Sequence, residues 1–208
     1  MDVPIPEHLR PLCDEVFGDR LPLAMAYAGL LAREGIEWGL IGPRERDRMW
    51  DRHILNSMCV SGLIPRGCQV ADVGSGAGLP GIPLAIARPD LRIELVEPMR
   101  RRVDFLTMCV ERLGLEATVS VVRASAQEYV GTASIVTCRA LAPVRELIVM
   151  MDHVVKHAPV LAIKGQRAEL EIAAAGDQLI ESQLFATVLR PEVGGEVLGT
   201  VVRLSRNA

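Results

Sequence analysis

Residues 69–87 read QVADVGSGAGLPGIPLAIA: an apolar run, a turn holding four glycines in the ten positions 72–81, and a run of aliphatic residues with helical character. A strand that feeds a helix through a tight turn commits the chain to a parallel neighbour, because parallel strands are joined only by crossovers of this kind. Glycine weakens both strands and helices, so its use here is conformational: it allows positive φ and lets other atoms come close to the main chain.

The same rhythm continues downstream. RIELVE precedes a helix that begins near Met99, in which Val103, Leu106, Val110 and Leu113 recur at spacings of three and four, and Gly114 is placed to end it. Strands are predicted at 117–122, 134–138 and 160–164, and helices at 144–157 and 168–181. LFATVLR and VLGTVVRL, joined by PEVGGE, read as an antiparallel hairpin. Together these predict an α/β fold of Rossmann-like type, with a mostly parallel seven-stranded sheet covered by helices on both faces.

Residues 1–64 are different in kind and are expected to form a helical extension on a domain spanning 65–208. LPLAMAYAGLLAREG and PRERDRMWDRHILNSMCVSGLI both read as helices. Wound as an α-helix, the second puts Trp50, Ile54 and Met58 on one side and Arg48, Arg52 and Asn56 on another, with His53 and Ser57 one turn apart on the border.

Composition narrows the function classes. No apolar run approaches the roughly 18 residues of a membrane helix, and MDVPIPEH lacks the basic head of a signal peptide, so a cytoplasmic protein with no membrane association is expected. The five cysteines include no C-x-x-C pair and are read as small buried hydrophobes of a reducing compartment, with no metal site. A net charge of -3 excludes a generally basic surface. Any RNA contact must use a local patch, for which Arg44, Arg46, Arg48 and the run Arg100 to Arg102 are the candidates.

Two ligand classes fit a glycine-rich first turn at the carboxyl edge of a parallel sheet. Gly76, Gly78 and Gly81 match the G-x-G-x-x-G of dinucleotide sites, with Glu97 about twenty residues on to bind a ribose. S-adenosylmethionine also offers a ribose to Glu97 but carries a sulfonium and an ammonium in place of phosphate. Asp72, read as the last residue of the strand, opposes a pyrophosphate and favours a cation by roughly 1 to 4 kcal/mol for a pair near 4 Å. No Lys or Arg follows until Arg88. Asp72, Gly76 and Gly78 are therefore read as contacts of adenosylmethionine. A turn that binds nothing, with Asp72 as a helix cap, is the plainer reading; the four glycines, Asp72 and Glu97 together outweigh it.

At DVGSGAGLPGIPLAIARPD the chain closely resembles the RsmG family, also called glucose-inhibited division protein B, of 16S rRNA guanine-N7 methyltransferases. Further matches lie in RHILNS (52–57), RRVDFL (101–106), the CRALAP stretch around Arg139 and LAIKG (161–165), in the family's order over residues 45–170. Where the family reads RHILDS, this chain carries Asn56. The resemblance implies a class I methyltransferase fold, S-adenosyl-L-methionine as cofactor, and a guanine in the decoding region of 16S rRNA as substrate, within the small ribosomal subunit or a precursor. Carried over by motif, Gly74 and Leu79 contact the methionine part of the cofactor, Glu97 the ribose, Ala126 and Gln127 the adenine side, and Arg139 the methionine end near the target base.

Guanine N7 keeps its lone pair at neutral pH, so attack on the methyl needs no general base. The demand is alignment, and well-oriented reactants gain about 7 to 11 kcal/mol from it. The sequence holds neither the [DN]-P-P-[FY] of amine-directed enzymes after the fourth strand nor a Pro-Cys nucleophile. No residue is nominated for proton transfer; Arg139 is nominated for positioning, Lys164 for an RNA phosphate, and Arg52 and His53 for contacting RNA or bracing the mouth of the site. A monomer is expected. The competing readings are an NAD-dependent oxidoreductase and a ribosome-binding module that holds the cofactor without turnover.

Overall fold

The structure, a computed structural model, describes residues 3–206. The chain enters through α1 (Arg10–Phe17) and α2 (Leu21–Leu30), each with a proline in its first turn, where the missing N–H costs nothing. α2 runs into a π turn at Leu31–Gly35. The segment predicted as one helix over 43–64 winds unevenly: a 3₁₀ stretch at Pro43–Arg48, a π turn at Met49–Leu55, then a second 3₁₀ stretch at Asn56–Leu63. Its faces are nonetheless those expected, with Trp50, Ile54 and Met58 buried and Arg48 and Arg52 exposed. Single turns of i→i+5 winding are frequent at functional sites, and this one carries Arg52 and His53.

Beyond it lie β1 (Gln69–Val73), α3 (Gly81–Ala87), β2 (Arg92–Val96), α4 (Arg100–Arg112), β3 (Val119–Val122), β4 (Ile135–Arg139), α5 (Val144–Met150), α6 (Asp152–Val155) and β5 (Val160–Lys164). They are followed by α7 (Ala168–Ala174), α8 (Gly176–Glu181), β6 (Phe185–Leu189), a two-stranded ribbon of β7 (Glu192–Val193) and β8 (Glu196–Val197), and β9 (Thr200–Ser205). The main sheet has seven strands in the order β3-β2-β1-β4-β5-β9-β6. The first five pair in parallel, and β9 inserts antiparallel between β5 and β6. The expected hairpin is thus present, with the ribbon occupying PEVGGE.

From β1 the chain builds outward to β2 and β3, and then returns to start β4 on the other side. The point where strand order reverses opens a crevice at the carboxyl ends of β1 and β4, the usual ligand position in such sheets. The helical extension packs into the core on one face of the sheet. Phe17, Tyr27, Leu31, Trp50 and Ile54 belong to one buried cluster with Leu84, Ile86, Leu95 and Phe105. The other face is covered by α5 and α6, through Val144, Leu147, Ile148 and Val155 against Val136, Cys138 and Ala162. All five cysteines are free and four are buried, and burial pushes the Cys59, Cys109 and Cys138 thiols up to about 12, which keeps them protonated and inert.

Candidate active site

The loop 74–80 hangs from β2: the Gly74 and Ser75 N–H groups both donate to the Val96 carbonyl, at 2.8 and 3.1 Å. Gly74 holds φ +73°, and a Cβ there would lie 2.6 Å from Leu141 Cδ1. Gly81 opens α3 against still harder neighbours, since a Cβ would come within 2.3 Å of Leu95 Cδ2 and 2.8 Å of Asp72 Oδ2. The bare backbone is therefore needed by the protein's own packing as well as by any ligand. From the extension, the buried Tyr27 hydroxyl donates to the Ala77 carbonyl at 2.7 Å, so α2 helps to set the loop. Gly81→Ala is expected to destabilise the chain by about 1 to 3 kcal/mol through overpacking. Thermal or denaturant melts read the effect, and weaker cofactor binding should accompany it.

Asp72 is where the structure departs most from the sequence reading. Strand β1 runs on to Val73, and Asp72 is sealed at 0% exposure. Its Oδ2 accepts the Gly81 N–H at 3.0 Å, its Oδ1 accepts the Thr137 hydroxyl at 3.3 Å, and its carbonyl accepts the Ser75 hydroxyl at 2.6 Å. Burial, only partly offset by these bonds, lifts its carboxyl to about 7. The carboxylate expected to face a bound cation instead ties β1, β4 and the start of α3 together.

Glu97 follows β2 and is 1% exposed. One oxygen accepts the Gly76 N–H and the other the Met99 N–H, both at 3.0 Å, with Arg102 3.6 Å away. These two bonds take about half of a carboxylate's acceptor capacity, leaving room for two hydroxyls. Ala126 and Gln127 lie in the turn after β3, Ala126 buried and Gln127 exposed. The turn is closed by Ser125 and Glu128. Because β2 and β3 are in parallel register through Val96 and Val122, the turn shares the carboxyl edge with Glu97.

A cleft of about 340 Å³ is lined by Gly74, Ser75, Gly76, Ala77 and Leu79, by Ile41 and Glu45, and by Arg52, His53, Arg102, Arg139 and Ala140. It brings together Gly74, Gly76, Leu79, Arg139, Arg52 and His53 of the expected site; Asp72, Gly78, Glu97, Ala126, Gln127 and Lys164 are not among its lining. Sequence reasoning missed Tyr27, Thr137 and Glu45. Glu45 stands among the alternating charges of residues 44–48, and its Oε2 lies 3.0 Å from His53 Nε2 and 3.3 Å from Arg52 Nε. Arg139 Nη2 stands 2.8 Å from His53 Nδ1, and Nη1 donates to the His53 carbonyl at 3.4 Å.

A second cleft, of about 720 Å³, adjoins the first across Arg52, Arg139 and Ala140, and extends over Leu141, Pro143, Ile163, Gly165 and Leu198. Ala140 sits between them at φ +51°, a strained conformation for a residue with a side chain. Lys164 lines this cleft, but its side chain is only 8% exposed, with Nζ bonded to Glu171 at 2.8 Å and to the Ala142 carbonyl. Glu171 also accepts the Val144 N–H at 3.0 Å. The expected phosphate contact is corrected accordingly: Lys164 pins the loop after β4 to α7.

Asn56 answers the question its substitution raises. Its Nδ2 donates to the Leu198 carbonyl at 2.8 Å, docking the C-terminal hairpin on the extension. A carboxylate could not donate there and would face the carbonyl with like charge. Asn56→Asp is expected to cost about 1 to 3 kcal/mol, read as a lower melting temperature that recovers as the pH is dropped enough to protonate the new acid.

Among the described residues no group of three or more His, Cys, Asp or Glu side chains is placed to hold a metal ion. No helix there is long and apolar enough to cross a membrane.

A family model described as rRNA small subunit methyltransferase G, GidB, matches residues 20–193. A ribosomal RNA small subunit methyltransferase G of Mycobacterium sp. (strain JLS) is 51% identical over 168 residues, 78% of this chain and 74% of that one. One from Streptomyces avermitilis is 46% identical over 207 residues, 97% of this chain and 85% of that one. Among solved structures, an O-methyltransferase from neocarzinostatin biosynthesis, in complex with S-adenosyl-L-homocysteine, superposes with a TM-score of 0.60 at 15% identity, covering 83% of this chain and 60% of that one. At that identity the likeness shows the fold.

Proposed function

The chain belongs to the GidB family, rRNA small subunit methyltransferase G, and from that membership we infer that it moves a methyl group from S-adenosyl-L-methionine to N7 of a guanine in the decoding region of 16S rRNA. The observation that carries the cofactor half of this reading is the loop's electrostatics. The cleft is lined by Gly74, Gly76 and Leu79 and by Arg139, and Glu97 accepts the Gly76 N–H at its edge. The Glu97 carboxylate under the turn disfavours a diphosphate and has acceptor capacity left for ribose hydroxyls, and Arg139 suits a single carboxylate. A cleft of about 340 Å³ is within the range of small-ligand pockets. Bound there, the cofactor supplies an activated methyl group on sulfur.

What the protein contributes is alignment. Gly74, Gly76 and Leu79 hold the methionine part, Glu97 the ribose, and the turn of Ala126 and Gln127 the adenine. Arg139 fixes the methionine end at the rim shared with the second cleft, and that cleft admits the target base from the far side of Arg139. The only imidazole on the lining, His53, has both ring nitrogens engaged, so the site offers no free base there, and attack by N7 needs none. Arg52, exposed on the cleft, and the half-buried Arg102 beside it, together with Arg100 and Arg101 on α4, provide the local positive surface that an acidic chain needs for RNA. The protein acts as a monomer on the small subunit or a precursor.

The test is methyl transfer from labelled adenosylmethionine to purified small subunits and to naked 16S rRNA from a strain lacking the gene, with the modified nucleoside identified. One 7-methylguanosine per particle is expected. Transfer to another atom, or tight NAD binding with no transfer, rejects the assignment.

A further inference from the structure

Arg139 is the one charged side chain at the rim between the two clefts that comes from the sheet itself, and the helical extension holds it. A guanidinium only donates, so the 2.8 Å contact with His53 Nδ1 requires that nitrogen to be the acceptor. The ring proton is then on Nε2, where it donates to Glu45 Oε2 at 3.0 Å. Both ends of the ring are fixed, and His53 is 7% exposed. Resting on the reading above, we propose that Glu45 and His53 are positioning residues that set the Arg139 guanidinium for methyl transfer, and that protonation of His53 releases it.

The release follows from the same contacts. A doubly protonated ring would turn an N–H toward a guanidinium 2.8 Å away, two donors and two positive charges face to face. The charged groups facing His53 are Arg139 from β4, Glu45 from the 43–48 turn and Arg52 from its own turn, with Asp72 behind Arg139. Burial and Arg139 together hold the imidazole below its ordinary value, while Glu45 works in the opposite sense. The relay is therefore intact at neutral pH and fails on the acid side.

Single-turnover methyl transfer to purified small subunits, measured against pH, tests this. The wild type should show an acid limb. His53→Asn, whose side-chain oxygen can still accept from Arg139 but cannot titrate, should keep transfer at acid pH and lose that limb; His53→Ala should lose roughly 10-fold or more at every pH. Glu45→Gln, which removes the charge that favours the protonated ring, should move the limb to lower pH. A limb unchanged in His53→Asn would assign it to Asp72 or to the particle and overturn the proposal. Nitrogen-15 NMR of the imidazoles is independent of activity. It should show the Nε2–H form for His53 and a titration below the ordinary imidazole range; an Nδ1–H form overturns the proposal even if no substrate is found. Absence of methyl transfer by the wild type at any pH counts against the functional reading alone.

Discussion

Arg139→Ala is expected to cut methyl transfer by roughly 10²- to 10³-fold, the size of effect seen when one preorganised donor is taken from an active site, while the protein still melts cooperatively. Arg139 ends β4, beside β1 at the reversal of strand order, and it lines both clefts. Its removal leaves His53 Nδ1 without its donor, whereas the His53 carbonyl keeps the Ser57 hydroxyl at 2.6 Å. His53 lines an open cleft where water can take the place of the lost donor, so the penalty on stability is modest and the penalty on alignment is large. Arg139→Lys should recover little of the rate, because an ammonium cannot hold the His53 ring and a ligand carboxylate with one planar fork. Labelled methyl transfer beside a thermal melt separates the two effects. Activity within a few-fold of the parent would remove Arg139 from the machinery.

The fold was legible because its strands are short aliphatic runs separated by helical stretches; β1, β2, β5 and the C-terminal hairpin stand close to where the residues place them. Helix winding in the extension was not legible, since 3₁₀, α and π turns bury nearly the same face from the same residues. Gly74, Gly76, Leu79 and Arg139 meet in the cleft because each lies at the carboxyl end of β1 or β4, which topology alone assigns. The roles of Asp72, Lys164 and Glu45 were hidden for one reason. A charged residue at a strand end or helix start looks the same in sequence whether it faces solvent or a partner that packing brings to it. Asp72 meets Thr137, Lys164 meets the Ala142 carbonyl and Glu171, and Glu45 meets His53. Only the packing distinguishes these cases.

Asp72→Asn carries the second large effect, and its sign depends on pH. The Asp72 carboxyl rises from 3.8 in the free chain to about 7 in the fold, chiefly through burial. Between those values the folded state binds more protons than the unfolded one, so this group's contribution to stability is complete below about pH 4 and is lost as pH rises through 7. The rise corresponds to a difference on the order of 4 kcal/mol across that window. Asparagine keeps an oxygen for the Gly81 N–H and cannot ionise, and its amide can meet Thr137 Oγ1 if that hydroxyl turns. The variant should therefore match the parent at about pH 4, below which this group's contribution is complete, and exceed it in stability at pH 8. Taking the variant-minus-parent difference in denaturant midpoint cancels the acid destabilisation that carboxylates held low, such as Asp90 beside Arg88, impose on both proteins. A difference that does not change with pH would mean that Asp72 stays ionised in the fold. Adenosylmethionine binding should survive the substitution if Asp72 acts by tying β1 to α3, and should collapse if its charge is what holds the ligand.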